Sequence, residues 1–190
     1  MDRMAIGTRD ALLQTAEGLM RTKGYAAFSY ADLSKAVGIS KPSIHHHFPA
    51  KEDLGAAIVE AYIARVEGEF ETIEVRNVTA VVRLEAFFRL FRKSAEGGFL
   101  PLCGALAAEM SALPASLQQI ARRFFDIQLK WLTEVIQQGI DHGELPLGSG
   151  ARHKAFILLS LMEGSSFIDW VTREGDLVDE RIIRLILADA

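Results

Sequence analysis

Three of the chain's five histidines stand in a row, His45-His46-His47, inside the stretch SKAVGISKPSIHHHFPAKEDL that runs from Ser34 to Leu54. Imidazoles ligate metals, move protons, and donate to phosphates and base edges. Spacing selects among these chemistries. On a helix successive side chains turn by about 100°, so three adjacent histidines face three directions, whereas a helical chelate sets its ligands four residues apart. His142 and His153 lie in or beside a distant loop, and Cys103 is the single cysteine. No metal site is expected. No serine, cysteine or carboxylate stands at a nucleophile spacing either, so no enzyme and no cofactor are expected. A helix with donors on several faces suits DNA, where some side chains meet bases and others meet phosphates.

The surrounding elements fit that reading. Apolar residues recur at helical spacing nearly throughout and no period-two run appears, which predicts an all-α fold of about nine helices. Thr8 is the expected cap of a first helix carrying Leu12, Leu13, Ala16, Leu19 and Met20, which Gly24 ends. Ser29 and Asp32 have the spacing of a capping box that opens a second helix, stopped by Gly38. Ser40 then caps a short third helix with Pro42 in its first turn, where a missing N–H costs little. Two short helices joined by Gly38-Ile39-Ser40 form a helix-turn-helix, whose second helix enters the major groove. Further helices are expected from near Ala50 to Glu74, then Ala80–Ala95, Leu102–Ala112, Pro114–Gly139, Ala151–Arg173 and Asp176–Ala188.

Composition sets looser bounds. The chain has 190 residues, 49% hydrophobic and 24% charged, with a net charge of −4. Residues 1–54 carry seven Lys/Arg against six Asp/Glu, and the remainder 14 against 19, so a slightly basic head precedes an acidic body. No uninterrupted apolar run nears the roughly 20 residues that span a bilayer, and residues 1–14 lack the apolar core of a signal peptide. A lone cysteine fits a reducing compartment. The expectation is a cytoplasmic protein with no membrane partner.

The residues TRDALLQTAEGLMRTKGYAAFSYADLSKAVGISKPSIHHHFPAKEDL, about a quarter of the chain, resemble the DNA-binding head of the TetR family of bacterial transcriptional regulators. The marks are Lys23-Gly24-Tyr25, Val37-Gly38-Ile39-Ser40 and His47-Phe48-Pro49 followed by Lys51. His45 departs from the family's usual tyrosine, Ser34 from its usual alanine, and Met20 from a common phenylalanine; the last two read as packing variation. The resemblance implies that Lys41, Pro42 and Ser43 open the recognition helix toward bases and that His45, His46 and His47 contact bases or phosphates. Lys51 at the start of the fourth helix and Tyr30 at the start of the second are the implied phosphate contacts. Ser40 is a cap that also stands near DNA. The implied division is a DNA-binding domain over 1–50 and a ligand-binding, dimerising domain over 51–190.

The resemblance further implies a repressor released from palindromic double-stranded operator DNA by a small apolar or electrophilic effector, working as a homodimer. Phe87, Phe91, Cys103, Met110, Phe124, Trp131, Phe167 and Trp170 are the expected pocket residues. Leu158, Leu159, Met162, Ser165, Ser166, Ile183 and Leu187 are the expected dimer interface, because the run AFILLSLMEGSSFIDW is more apolar than one buried face needs. Glu163 within that run, a charge that is costly to bury unpaired, is either exposed on the polar side or functional, the first being favoured. Cys103 opens two further readings. Placed in the first turn of a helix, its thiol would be activated for electrophile or oxidant sensing; as a lone cysteine among apolar residues it is a small buried hydrophobe. A helical enzyme or carrier with an incidental helix-turn-helix is the remaining class.

Overall fold

The computed structural model describes residues 7–174 together with 179, 181 and 183. It contains α1 (Thr8–Lys23), α2 (Tyr30–Val37), α3 (Lys41–His47), α4 (Lys51–Arg76), α5 (Ala80–Ala95), α6 (Leu102–Ala108), a 3-10 turn (Met110–Ala112), α7 (Ala115–Asp141) and α8 (Ala151–Thr172). There is no strand among the described residues, and the all-α expectation holds. Of the expected ninth helix only residues 179, 181 and 183 are described; the rest, with Leu187, lies outside the described residues.

Local chemistry explains most of the boundaries. Ser29 Oγ accepts from Asp32 N–H at 3.3 Å while Asp32 Oδ2 accepts from Ser29 N–H at 2.8 Å, a complete capping box worth about 1 kcal/mol. The same hydrogen bonds hold the Asp32 carboxyl below its ordinary range. Thr79 caps α5 through Val82 N–H at 3.4 Å. At α1 the cap is Gly7, without a side-chain hydrogen bond, and Thr8 is already helical; the expected Thr8 cap is displaced by one residue. The expected helix over Leu102–Ala112 tightens into the 3-10 turn after Ala108.

The chain folds as two compact units. The first comprises residues 1–63 and 102–122. Leu12, Ala16, Met20, Phe28, Leu33, Ile44, Leu54 and Ile58 fill its core, each at most 1% exposed. Truncating a phenylalanine such as Phe28 in such a core costs about 3–5 kcal/mol. Here Glu109 accepts a hydrogen bond from Ala26 N–H at 2.9 Å, fastening the end of α6 to the turn after α1. Gly24 in that turn has φ 88°, and a Cβ on it would sit 1.8 Å from Glu109 Oε1. Only glycine fits there.

The second unit comprises residues 64–101 and 123–190. Its core joins Phe70, Phe87, Phe88, Phe91, Trp131, Leu132, Val135, Leu158, Leu159, Met162 and Ile183. Trp131 stacks on Phe70 at 4.4 Å and donates its ring N–H to Glu74 at 2.8 Å. Alone among the described helices, α8 is long and apolar enough to cross a membrane by length and composition. Arg152, Lys154 and Glu163 interrupt it, which is why no uninterrupted apolar run reveals it.

Candidate nucleic-acid interface

The turn between α2 and α3 is set by backbone needs. Gly38 ends α2 in the left-handed region, φ 78° and ψ 27°, and donates its N–H to Ser34 O at 2.9 Å. Ser34 Oγ donates to Ile39 O at 2.5 Å, closing the turn from the other side. Serine at this position is therefore a hydrogen-bonding residue, which corrects its reading as packing variation. Ser40 Oγ accepts from Ser43 N–H at 3.3 Å, and Pro42 occupies the first turn of α3.

Ile44 and Phe48 fix the orientation of α3, being 0% and 3% exposed. With those two inward, Lys41, Pro42, His45 and His46 are exposed, and Ser43 and His47 are half-buried. No acidic residue stands on α3. His45 Nδ1 lies 3.1 Å from the Pro49 carbonyl oxygen. A carbonyl only accepts, so Nδ1 carries the proton and Nε2 is the nitrogen left for a partner. The His45 ring stands edge-on to Tyr30, with centroids 4.8 Å apart, and the His46 and His47 rings are 5.5 Å apart.

Two expected phosphate contacts are turned elsewhere. Tyr30 donates its hydroxyl proton to Phe48 O at 2.8 Å, so that proton is not offered to a phosphate. Burial first, then the Asp53 carboxylate, push this phenol up to about 12. Lys51 donates Nζ–H to Phe28 O at 2.5 Å and lies over the rings of Tyr25 and Phe28 at 4.6 and 4.5 Å. Burial lowers its pKa, against the opposing pull of Glu109 and Asp32. The start of α4 is also already satisfied: Asp53 Oδ2 accepts from Ala50 N–H at 2.9 Å, and Glu52 and Asp53 fill the first turn. Both residues brace the head. Tyr30 holds the end of α3 and Lys51 holds the segment between α1 and α2.

The sequence reading passed over Arg9. Its exposed guanidinium lies over the Phe48 ring, 5.4 Å from the centroid, beside the end of α3. The available signal was a cation in the first turn of a helix that the head must pack. A second omission lies in the body. Gln128, on the apolar stripe of α7 four residues before Leu132, is 2% exposed with Nε2 unpartnered.

The expected pocket residues divide between the units. Cys103 and Met110 fall in the first, and Phe87, Phe91, Phe124, Trp131, Phe167 and Trp170 in the second. Cys103 is 0% exposed, the buried hydrophobe of its two readings. The expected dimer residues Leu158, Leu159, Met162 and Ile183 are at most 4% exposed within the chain's own core, so burial removes them from any surface. Ser165 and Ser166 are half-buried and both donate to Met162 O at 3.0 Å. What α8 exposes is a different stripe: Phe156, Ile157, Ser160, Gly164, Ile168 and Val171. Glu163 does not take the exposed reading: both carboxylate oxygens are buried without a hydrogen-bond partner among the described residues.

Residues 12–58 match the family model of bacterial regulatory proteins of the tetR family. The regulator EthR of Mycolicibacterium smegmatis is 35% identical over 86 residues, which are 43% of this chain and 40% of EthR. CymR of Pseudomonas putida is 35% identical over 81 residues, covering 43% of this chain and 36% of CymR. These matches thus span less than half of either relative's length. A TetR-family transcriptional regulator from Agrobacterium tumefaciens extends the likeness along the chain, at 31% identity and TM-score 0.84 over 95% of this chain and 94% of that one. With the helix-turn-helix in place at one end and a relative of this identity matched nearly end to end, the chain belongs to the TetR family of bacterial transcriptional regulators.

Proposed function

We propose that the protein is a homodimeric transcriptional repressor that binds a palindromic operator and leaves it when a small molecule binds the body. The observation that carries the DNA-binding reading is α3: capped, anchored by Ile44 and Phe48, free of acids, and presenting Lys41, Pro42, His45 and His46 to solvent. Base reading falls to Lys41, His46 and Ser43, with His45 Nε2 and His47 at the flank. Arg9 takes a phosphate role in place of Lys51 and Tyr30. Residues 1–50 serve DNA, and residues 51–190 serve the effector and the partner copy.

The dimer face is the exposed stripe of α8. Ile168 and Val171 are 60% and 72% exposed and Phe156 is 58% exposed, more apolar surface on one helix than a solitary chain leaves to water. Ser160 and Gly164 let a second helix approach closely. Because a helix-turn-helix monomer reads few bases, two heads about one helical turn apart are needed for a specific site. Burial of Cys103 takes the thiol out of reach of an electrophile or oxidant, so the effector is a non-covalent ligand.

The test is fluorescence anisotropy on the protein's own upstream DNA with excess competitor DNA present. Saturable binding that survives competitor is expected, and Lys41→Ala or His46→Ala should relax discrimination at a base position by about 1–3 kcal/mol. Binding that competitor abolishes, or that these variants leave equally discriminating, would overturn the reading.

A further inference from the structure

Among its described residues, the second compact unit holds two buried polar groups without partners: Gln128 Nε2 and both oxygens of Glu163. Each such group costs about 1–3 kcal/mol, and an ionised carboxylate more. The α8 hydroxyls do not relieve the acid, because Ser165 and Ser166 both bond Met162 O. Lys154, the buried cation of the same helix, stands nine residues earlier, roughly 14 Å along the axis.

Contacts at the two ends of the unit show how its helices run. At one end, Ala80 N–H donates to Glu144 Oε2 at 2.7 Å, and a Cβ on Gly139 would lie 2.7 Å from both Ala80 Cβ and Leu145 Cδ1. At the other, a Cβ on Gly98 would lie 2.9 Å from Arg173 Nη1. Hence α5 and α8 run in one direction and α7 in the opposite one. Counted from Ala80, Gly139 and Ala151 at the common end, Phe91, Gln128 and Glu163 lie 11 or 12 residues along, roughly 17 Å. Phe87 and Trp131 lie seven and eight residues from that end and do meet, at 5.6 Å, as this count requires. Gln128 and Glu163 therefore share a level, one turn beyond the aromatic layer of Phe70, Phe87 and Trp131.

We propose that Gln128 and Glu163 are the two polar poles of the effector site, and that it takes a small molecule with an aromatic or aliphatic body, a protonated amine for Glu163 and a hydrogen-bond acceptor for Gln128. This rests on the ligand-responsive reading above. The ammonium supplies the donors that Glu163 lacks. Burial pushes the free carboxyl up to about 7. An ammonium holds it ionised, so below that pH binding releases a proton from the carboxyl to the buffer.

Isothermal titration of the full chain with matched probes tests this: 3-phenoxypropylamine, 3-phenoxypropanol, 3-phenoxypropionate, and 4-phenylbutylamine, which lacks the ether oxygen. The phenoxyamine should bind at least tenfold more tightly than the alcohol or the acid. At pH 6.5 its heat should differ between buffers of different ionisation enthalpy, reporting the released proton. The isosteric Glu163→Gln should erase the amine preference, and Gln128→Leu the preference for the ether over phenylbutylamine. Circular dichroism checks that both fold, with Glu163→Met as the second acid variant. No probe binding, equal affinity for amine and alcohol, or an amine preference that survives Glu163→Gln overturns the proposal. Operator binding without any probe is measured in the same samples, so failure of the DNA-binding reading is seen separately.

Discussion

Replacing Glu163 with glutamine should change how stability depends on pH. Burial raises this carboxyl from about 4.5 to about 7. Between those values the folded chain binds the proton more tightly than the unfolded chain, so stability is highest below the lower value and falls as pH rises through the upper one. A shift of about 2.5 units corresponds to about 3 kcal/mol over the full window, of which about 2 kcal/mol falls between pH 5 and 8. Glutamine does not titrate. Chemical denaturation of both proteins at one fixed protein concentration, needed because dimerisation adds to stability, isolates this group from carboxylates such as Asp32 that titrate in both. The stability difference should move by about 2 kcal/mol in the variant's favour from pH 5 to 8, or about 4–8 °C in Tm. Parallel profiles within about 0.5 kcal/mol would refute the reasoning, because a solvated or paired Glu163 titrates like an ordinary carboxylate.

The other perturbations separate residues that look alike in sequence. Arg9→Ala should weaken binding to all DNA sequences and reduce the slope of log affinity against log salt by about one, whereas Lys51→Met should leave that slope unchanged and lower stability by about 1–2 kcal/mol; the reverse pattern returns Lys51 to the phosphates. Gly24→Ala should cost about 2 kcal/mol in thermal unfolding, from the positive φ and the lost fit to Glu109. Pairing it with Glu109→Ala should then cost less than the two changes added. Ile168→Asp should yield monomers by light scattering at micromolar concentration with the fold retained, while a dimer that persists moves the interface off α8.

Much of the head was legible because its instructions are local. A cap or a left-handed glycine acts within four residues, and Ser29, Gly38 and Ser40 all behave as their spacing predicts. What the sequence leaves out is where a long side chain puts its polar end. Tyr30 and Lys51 stand beside the recognition helix in sequence terms, yet their donors go to Phe48 O and Phe28 O, choices made by tertiary neighbours 18 and 23 residues away. Gln128 was more accessible: a polar residue at core phase on an amphipathic helix is already an anomaly that calls for a partner.

The α8 helix shows a different limit. Its sequence is apolar around most of its circumference, which implies two buried faces without stating which residues serve which. The phase comes only from the rest of the chain: Ala155, Leu158, Leu159 and Met162 are taken by the chain's own core, so Phe156, Ile157, Ile168 and Val171 are what is left for another copy. Glu163 lies next to Met162 at the margin between these faces, where one neighbour would have been expected to leave it in water. The chain instead buries it without a partner, and this is the feature that a purely structural role for α8 does not explain. On the proposed arrangement, a carboxylate held at a cost on α8 gives a ligand a direct means of acting on the dimer, because neutralising or pairing that charge would shift the packing of the helix proposed to carry the partner copy.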